Sequence, residues 1–475
     1  MLASRRLAVL KEHFVDRWLG AALDYIPRWL EFQMRQTELP GCVIAVAHRG
    51  RIVLEQAFGY ADLGRGVALT PRHRFRVASH SKSFTSAGIM RLREQGKLRL
   101  DDTAGRFVRD LHPKVACTTV AQLLSHSAGL VRDGWDAGQW QDRRPFRSEQ
   151  ELRADLKQAP IIEGNTRFKY SNHGYGLAGL VIEAVTGAPY RDWIEREIVE
   201  TVGLEETRSD APLPSAVPVA RGHSGKHPVG RRLTIPGDNP TNALAAATGF
   251  VSTAADLARF FNQLSPDAHR SVLSRASRRE MIRRQWRDPY SSLERYYGLG
   301  IISGTLGDWD WFGHSGGFQG FITRTATLPA QDLTLSVLTN AADGLAHPWL
   351  DGAVHVLRCF AKHGAPPRKL ADWSGRWWSL WGAFDLVPAG DKVFVTMPAF
   401  LNPFMDASEL AIAGRDRGCV ALAGGFASHG EQARLVRARG GRATEFWLGG
   451  NKLLPEAAVV REMKARYGKR GRQSG

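Results

Sequence analysis

The sequence predicts an α+β chain followed by a small all-β module. Three observations carry this. Before residue 265 apolar residues recur at helical spacing in several stretches, interrupted early by one hairpin pattern. From Tyr297 the pattern changes to short strands. Beyond "AKHGAPPRKLA" at 361–371, read as a linker, apolar and polar residues alternate in short runs broken by glycine.

In chain order, residues 14–39 place Trp18, Leu19, Leu23, Ile26, Trp29, Leu30 and Met34 on one helical face. Pro27 should kink that helix or start a second one. "CVIAVAHRGRIVLEQAFGYAD" reads as two strands around a tight "HRGR" turn. A helix should open at Ser79, run to about Glu94 and stop at Gly96. "TTVAQLLSHSAGL" predicts a short Thr-capped helix ending in a polar turn at Ser125–Gly129. Residues 171–204 are again helical, with Leu177, Leu180, Ile182 and Val185 on the apolar face. Thr253 with Asp256 forms a capping-box pattern ahead of "LARFFNQL". "YGLGIISG", "WDWFGHSG", "FITRTATL" and "LTLSVLTN" are strands. Residues 372–460 read as a small antiparallel barrel or sandwich, with Gly440–Gly441 as a two-residue turn at positive φ. The expected domains are 1–362, 372–460 and a frayed basic tail at 461–475.

Composition narrows the function classes. Lys and Arg number 64 against 47 Asp and Glu, a net charge of +17. The arginines are scattered, and the dense basic run is the terminal "KARYGKRGRQSG", so no nucleic-acid partner is expected. The longest uncharged run, 239–255, is rich in Asn, Pro and Thr and suits no membrane span. Lys11 and Glu12 interrupt any apolar segment of a secretory signal, and a cytoplasmic location is expected. Cys42, Cys117, Cys359 and Cys419 are widely spaced and form neither a disulfide framework nor a metal site. No cofactor or metal is expected, and the sequence leaves homo-oligomerisation open.

"RVASHSKSFT" holds the single S-x-x-K of the chain, Ser79 and Lys82. Residues three apart on a helix share a face, so Oγ and Nζ can meet. At a helix start the backbone dipole favours negative charge on an attacking oxygen. Lys82 could serve as a base if burial and neighbours lowered its pKa. "FKYSNHGYG" holds the single Y-x-N, Tyr170 and Asn172. Tyr170 could relay a proton to a leaving group and Asn172 could hold a substrate amide. A buried tyrosine packed at a turn would look the same.

H-x-G occurs at His48, His223 and His314, and His314 alone has strand patterns on both sides. Gly313–Gly317 also matches G-x-S-x-G with Ser315 at its centre. That elbow needs a buried strand before the serine and a helix after it. "GDWDWF" and the alternating "FQGFITRTATL" supply neither.

In the order S-x-x-K, Y-x-N, H-x-G, the chain resembles the serine β-lactamase and penicillin-binding-protein superfamily. It is most similar to the branch of class C β-lactamases, D-aminopeptidases and related esterases (peptidase family S12). "FRVASHSKSFTSAGIMRLREQGKLRLDD", "TTVAQLLSHSAGL", "FKYSNHGYGLAGLVIEAVTG", "GFVSTAADLARFF" and "GHSGGFQGF" carry the likeness over roughly residues 35–345. The resemblance implies an antiparallel sheet flanked by helices plus a helical subdomain, with the site between them. It implies Ser79 as the acylated nucleophile, Lys82 as its proton partner and Tyr170 as general base and acid. Asn172, His314 and Gly316 would bind substrate, and the N–H groups of Ser79 and Gly317 would form the oxyanion hole. His126 matches the family wording and reads as a turn residue.

His314 stands where lactamases usually carry the lysine of K-T-G, so a fixed cation for a substrate carboxylate is missing there. The implied activity is hydrolysis of small amides, short peptides or esters through an acyl-enzyme. D-amino-acid amides and peptides come first, esters second and slight lactamase activity third. A catalytically silent ligand-binding or sensor protein is the reading from another class. "WSGRWWSLWGAFDLVPAGDKVFV" resembles the start of the lipocalin-like barrel attached to some members of this branch.

Overall fold

The computed structural model describes residues 15–289, 294–424 and 429–468. The early hairpin forms as expected, with strands Gly41–His48 and Arg51–Asp62. Arg49 and Gly50 take φ of 50° and 74°, the paired left-handed conformation of a two-residue hairpin turn. This hairpin joins an antiparallel sheet of nine strands among the described residues. The order runs Val67–Ala68, Arg51–Asp62, Gly41–His48, Leu333–Thr339, Phe321–Leu328, Trp309–Phe318, Ile302–Leu306, Tyr296–Tyr297 and Trp286–Arg287. The centre is therefore built from the first strand of the unit and its last.

Both central strands, Gly41–His48 and Leu333–Thr339, are buried at every position. Such strands read as continuous apolar runs, and "CVIAVA" does. Helix Ala254–Gln263 packs on this part of the sheet. Its Thr253 cap accepts a hydrogen bond from Asp256 N at 3.3 Å, which is half of the expected box. The Asp256 carboxylate turns instead to Glu206 N at 2.9 Å and Thr207 Oγ1 at 3.0 Å. Phe84 stacks between Phe250 and Phe260 at 4.3 and 3.8 Å, fixing helix Ser81–Glu94 in the core.

The helical stretch expected at 171–204 is divided. Helix Asn172–Thr186 stops at Gly187, which has φ 68°, and Tyr190–Ile194 and a π-turn at Glu195–Glu200 follow. His223, expected in a loop without strand character, lies in the short strand Gly222–His223 and is buried.

By their contacts, Leu39–Leu350 form one unit, and the described parts of 1–38 and 351–475 form a second. This division differs from the sequence boundaries at 362 and 372, because helix Arg17–Thr37 belongs with the barrel. Tyr25 donates to Asp385 Oδ2 at 3.1 Å, and Gln33 Nε2 donates to Pro398 O at 2.6 Å. Pro27 does not divide this helix. Burial of Leu23, Ile26, Trp29 and Leu30 outweighs one lost backbone hydrogen bond.

In the second unit eight strands from Gly375 to Leu453 pair with their sequence neighbours in an antiparallel meander. Trp378 and Leu454 exchange two backbone hydrogen bonds, 2.7 and 2.8 Å, and nearly close it into a barrel. Trp373, Trp377, Leu410 and Phe446 fill its interior. At the expected Gly440–Gly441 turn only Gly441 takes positive φ, 80°. Gly441 N bonds Ala438 O at 2.9 Å, so the connection is a longer turn that ends in one left-handed glycine. Helix Glu456–Tyr467 covers the start of the expected frayed tail, and residues 469–475 lie outside the described ones. Among the described residues no helix is long and apolar enough to cross a membrane.

Candidate active site

Strand Phe75–Arg76 pairs with Val251–Ser252 and leads into a turn of 3-10 helix, Ala78–His80, before helix Ser81–Glu94. Ser79 thus sits one step ahead of the α-helix on which the spacing argument placed it. Ala78 has φ 46°, a left-handed conformation that is strained for a residue with a Cβ. Neighbouring side chains hold the turn. Ser81 Oγ donates to Ala78 O at 2.6 Å, and Phe250 N donates to Ser81 Oγ at 3.0 Å. The His80 ring reaches Val77 O at 2.9 Å and Thr325 Oγ1 at 3.1 Å.

Lys82 is wholly buried. Its Nζ lies 3.1 Å from Ser79 Oγ, 2.7 Å from Asn172 Oδ1 and 2.8 Å from the Ala247 carbonyl. Burial holds its pKa well below the ordinary lysine value; Asp133 opposes that and Arg132 adds to it. Tyr170 donates to Ser79 Oγ at 2.8 Å. Burial pushes the Tyr170 phenol up, and its bond to Ser79 pulls back only in part. The phenol is therefore protonated at neutral pH.

Tyr170 stands just before helix Asn172–Thr186. Ser171 caps this helix by accepting from Gly174 N at 2.9 Å, and its Oγ donates to Val131 O at 2.6 Å. His126, read from the sequence as a turn residue, has φ 59° and packs against Tyr170 with ring centroids 4.1 Å apart and planes tilted by 35°. Its Nδ1 accepts from Ser171 N at 3.1 Å. Asn172 meets Lys82 through its oxygen, and its Nδ2 donates to Asp133 Oδ1 at 2.6 Å.

His314 lies inside strand Trp309–Phe318 and is buried. Its Nε2 is 3.0 Å from Tyr297 OH, and Nδ1 is 2.7 Å from Ser315 O and 3.0 Å from Ser315 N. Burial, then His80 and Lys82, lower its pKa well below the usual histidine value. It is a neutral wall, not a cation. Ser315 sits mid-strand opposite Arg324, without the strand–turn–helix setting of a nucleophile elbow. A Cβ on Gly316 would fall 2.1 Å from Val77 O and 2.7 Å from Thr323 Oγ1, so only glycine lets this strand approach the Ser79 turn.

A cavity of about 310 Å³ opens on these groups. Ser79, Tyr170, His314, Ser315 and Gly317 are among the residues that line it. Phe168, Tyr296, Tyr297 and Ile302 give apolar and aromatic walls, and Arg132, Asp288 and Arg295 supply charge. A larger hollow of about 490 Å³ lies on the barrel unit and touches none of the reacting groups.

Of the seven residues singled out in the sequence, Ser79, Lys82, Tyr170 and Asn172 form one hydrogen-bonded chain. His314 and Gly317 line the same cavity, and Gly316 sets the approach of the strand to the turn. Sequence reasoning missed Asp133, Arg132, Tyr297, the Ala247 carbonyl and the contact His126 makes with Tyr170. "VRDGWD" has the composition of any solvated loop, and a backbone carbonyl leaves no side-chain signal.

An antiparallel sheet with helices on it and a serine met by a lysine and a tyrosine has the layout of a serine hydrolase. The family model described as Beta-lactamase matches residues 26–352, and the chain belongs to that family. It is 33% identical over 172 residues to penicillin-binding protein 4* of Bacillus subtilis (strain 168), covering 35% of this chain and 37% of that one. The chain thus spans little more than a third of the length of the curated relatives it matches. Among solved structures, the octameric penicillin-binding protein homologue from Pyrococcus abyssi superposes with a TM-score of 0.63. It is 22% identical and covers 91% of this chain and 99% of its own. D-amino acid amidase from Ochrobactrum anthropi SV3 superposes with a TM-score of 0.61 at 26% identity, covering 72% of this chain and 98% of its own.

Proposed function

We propose that the chain hydrolyses small amides, short peptides or esters through an acyl-enzyme on Ser79, with D-amino-acid amides and peptides as the first substrate class and esters the second. The carrying observation is the convergence of Lys82 Nζ and Tyr170 OH on Ser79 Oγ, at 3.1 and 2.8 Å. The likeness to a D-amino acid amidase supports the substrate class.

A neutral lysine amine has two hydrogens and one lone pair. The two shorter contacts, to Asn172 Oδ1 and Ala247 O, take the hydrogens and leave the lone pair for the Ser79 proton. Oγ then bonds to the substrate carbonyl carbon while its proton passes to Nζ. The N–H groups of Ser79 and Gly317 are assigned to the oxyanion. As the bond to the leaving nitrogen or oxygen breaks, the Tyr170 phenol gives that atom its proton and is reprotonated from the Lys82 ammonium. Water reverses the sequence and frees the acid.

The test is labelling of the protein and its Ser79→Ala and Ser315→Ala variants with a fluorophosphonate and a fluorescent penicillin, with the adduct mapped by mass spectrometry. An adduct on Ser79 is expected, lost only in Ser79→Ala. An adduct on Ser315 would overturn the assignment, and no adduct with either probe would favour a silent binding protein.

A further inference from the structure

We infer that Arg132 is the carboxylate anchor of this cavity, so that the preferred substrates carry an anionic carboxylate beside an apolar or aromatic group. The inference rests on the reading of the Ser79 cavity as the substrate site and narrows its substrate class.

His314 supplies no cation, because it is buried and both ring nitrogens are engaged by Tyr297 and Ser315. Arg132 faces the same cavity from the loop after helix Val120–Leu124. Its Nε lies 3.0 Å from Asp133 Oδ2, and its guanidinium carbon is 5.5 Å from the centroid of the Tyr170 ring. These two contacts place the group beside the Tyr170 ring. Among the described residues its two terminal nitrogens donate no hydrogen bond, and the side chain is 65% exposed. That leaves a forked pair of donors beside the reactive serine, a geometry that matches the two oxygens of a carboxylate.

Asp133 pairs with Arg132 at Oδ2 and with Asn172 at Oδ1, so recognition rests on the directed guanidinium donors and not on net charge. Asp288 and Arg295 adjoin through a 3.3 Å backbone hydrogen bond, and together they add no net charge. Phe168, Tyr296 and Ile302 provide the apolar complement. Within the proposed class, a peptide with a free carboxylate should be preferred to the matching amide.

The test is calorimetric titration of the full-length Ser79→Ala protein with N-acetyl-D-phenylalanine and with its primary amide, which differ by one charge. The acid should bind about tenfold or more tightly than the amide, the range for a charge-assisted hydrogen bond. In Ser79→Ala/Arg132→Gln the ratio should fall towards one, and Arg132→Lys should keep part of it. The acid preference should also weaken with added salt, a reading that needs no Arg132 variant. Equal affinity for acid and amide, binding of neither, or a preference that survives Arg132→Gln would overturn the inference. The labelling of Ser79 is read separately, so failure of the anchor and failure of the nucleophile are distinguishable.

Discussion

The amide oxygen of Asn172 lies 2.7 Å from Nζ of Lys82, closer than Ser79 Oγ at 3.1 Å. Asn172 therefore contacts the lysine as directly as Ser79 does. A neutral amide accepts a hydrogen from the amine without favouring the ammonium as strongly as a carboxylate would. Asn172→Asp would set an oxygen against Asp133 Oδ1 in place of the amide nitrogen 2.6 Å away, so the two carboxylates share a proton at low pH, and the charge added as that proton leaves sits beside Lys82. The ammonium gains, so the Lys82 pKa rises and the base is lost at higher pH. The acidic limb of the kcat/KM profile should move up by about one pH unit or more. A limb that stays in place would show that Lys82 is not the group being titrated.

Buried histidines predict acid lability that begins early. Burial lowers His80 to about 3 and His347 to about 4, and it holds His126 and His314 well below the usual value. An unfolded histidine titrates near 6.5. Below that pH the unfolded chain binds protons that the folded chain does not, so stability falls as pH drops from about 6.5 towards the folded values. Each pH unit in that window withdraws at most about 1.4 kcal/mol per histidine. The histidine contribution to the unfolding midpoint should be complete above pH 7 and should fall away steadily between pH 6.5 and 4. Carboxylates alone would place the onset nearer pH 5. A midpoint unchanged from pH 7.5 to 5 would contradict the neutral buried state of these rings.

The sequence disclosed most where chemistry needs a fixed spacing or a fixed residue type. Ser79 and Lys82 were legible because an interval of three survives the replacement of α-helix by a 3-10 turn at Ala78–His80. The Arg49–Gly50 turn was legible through Gly50, since left-handed φ favours glycine, whereas Arg49 takes φ 50° against the usual preference. Asp133, Arg132 and Tyr297 were not, because they reach the site only through tertiary folding, from a loop and from a two-residue strand. The N-terminal helix showed its apolar face, but an apolar face does not say which body will cover it. Only contacts such as Tyr25 with Asp385 place it on the barrel unit. The Ala247 carbonyl, which orients Lys82, could not be read from any side chain.

Gly316 and Gly317 stand side by side, yet the structure sets different limits on them. A methyl on Gly316 would collide with the Val77 carbonyl at 2.1 Å and Thr323 Oγ1 at 2.7 Å, both in closely packed backbone and sheet. Gly316→Ala must push strand Trp309–Phe318 away from the Ala78–His80 turn, moving Gly317 relative to Ser79. Overpacking of this kind destabilises by about 1–3 kcal/mol. A displacement near 1 Å of groups that hold the reacting atoms can lower turnover about 100-fold. On Gly317 the nearest atom would be Ile322 Cδ1 at 3.7 Å, an ordinary contact, so Gly317→Ala should unfold within about 0.5 kcal/mol of the parent. Denaturant melts of both variants, with kcat/KM on one ester substrate, separate the two effects. If Gly316→Ala matched the parent in both, the close approach of strand and turn would not be what positions the oxyanion donors.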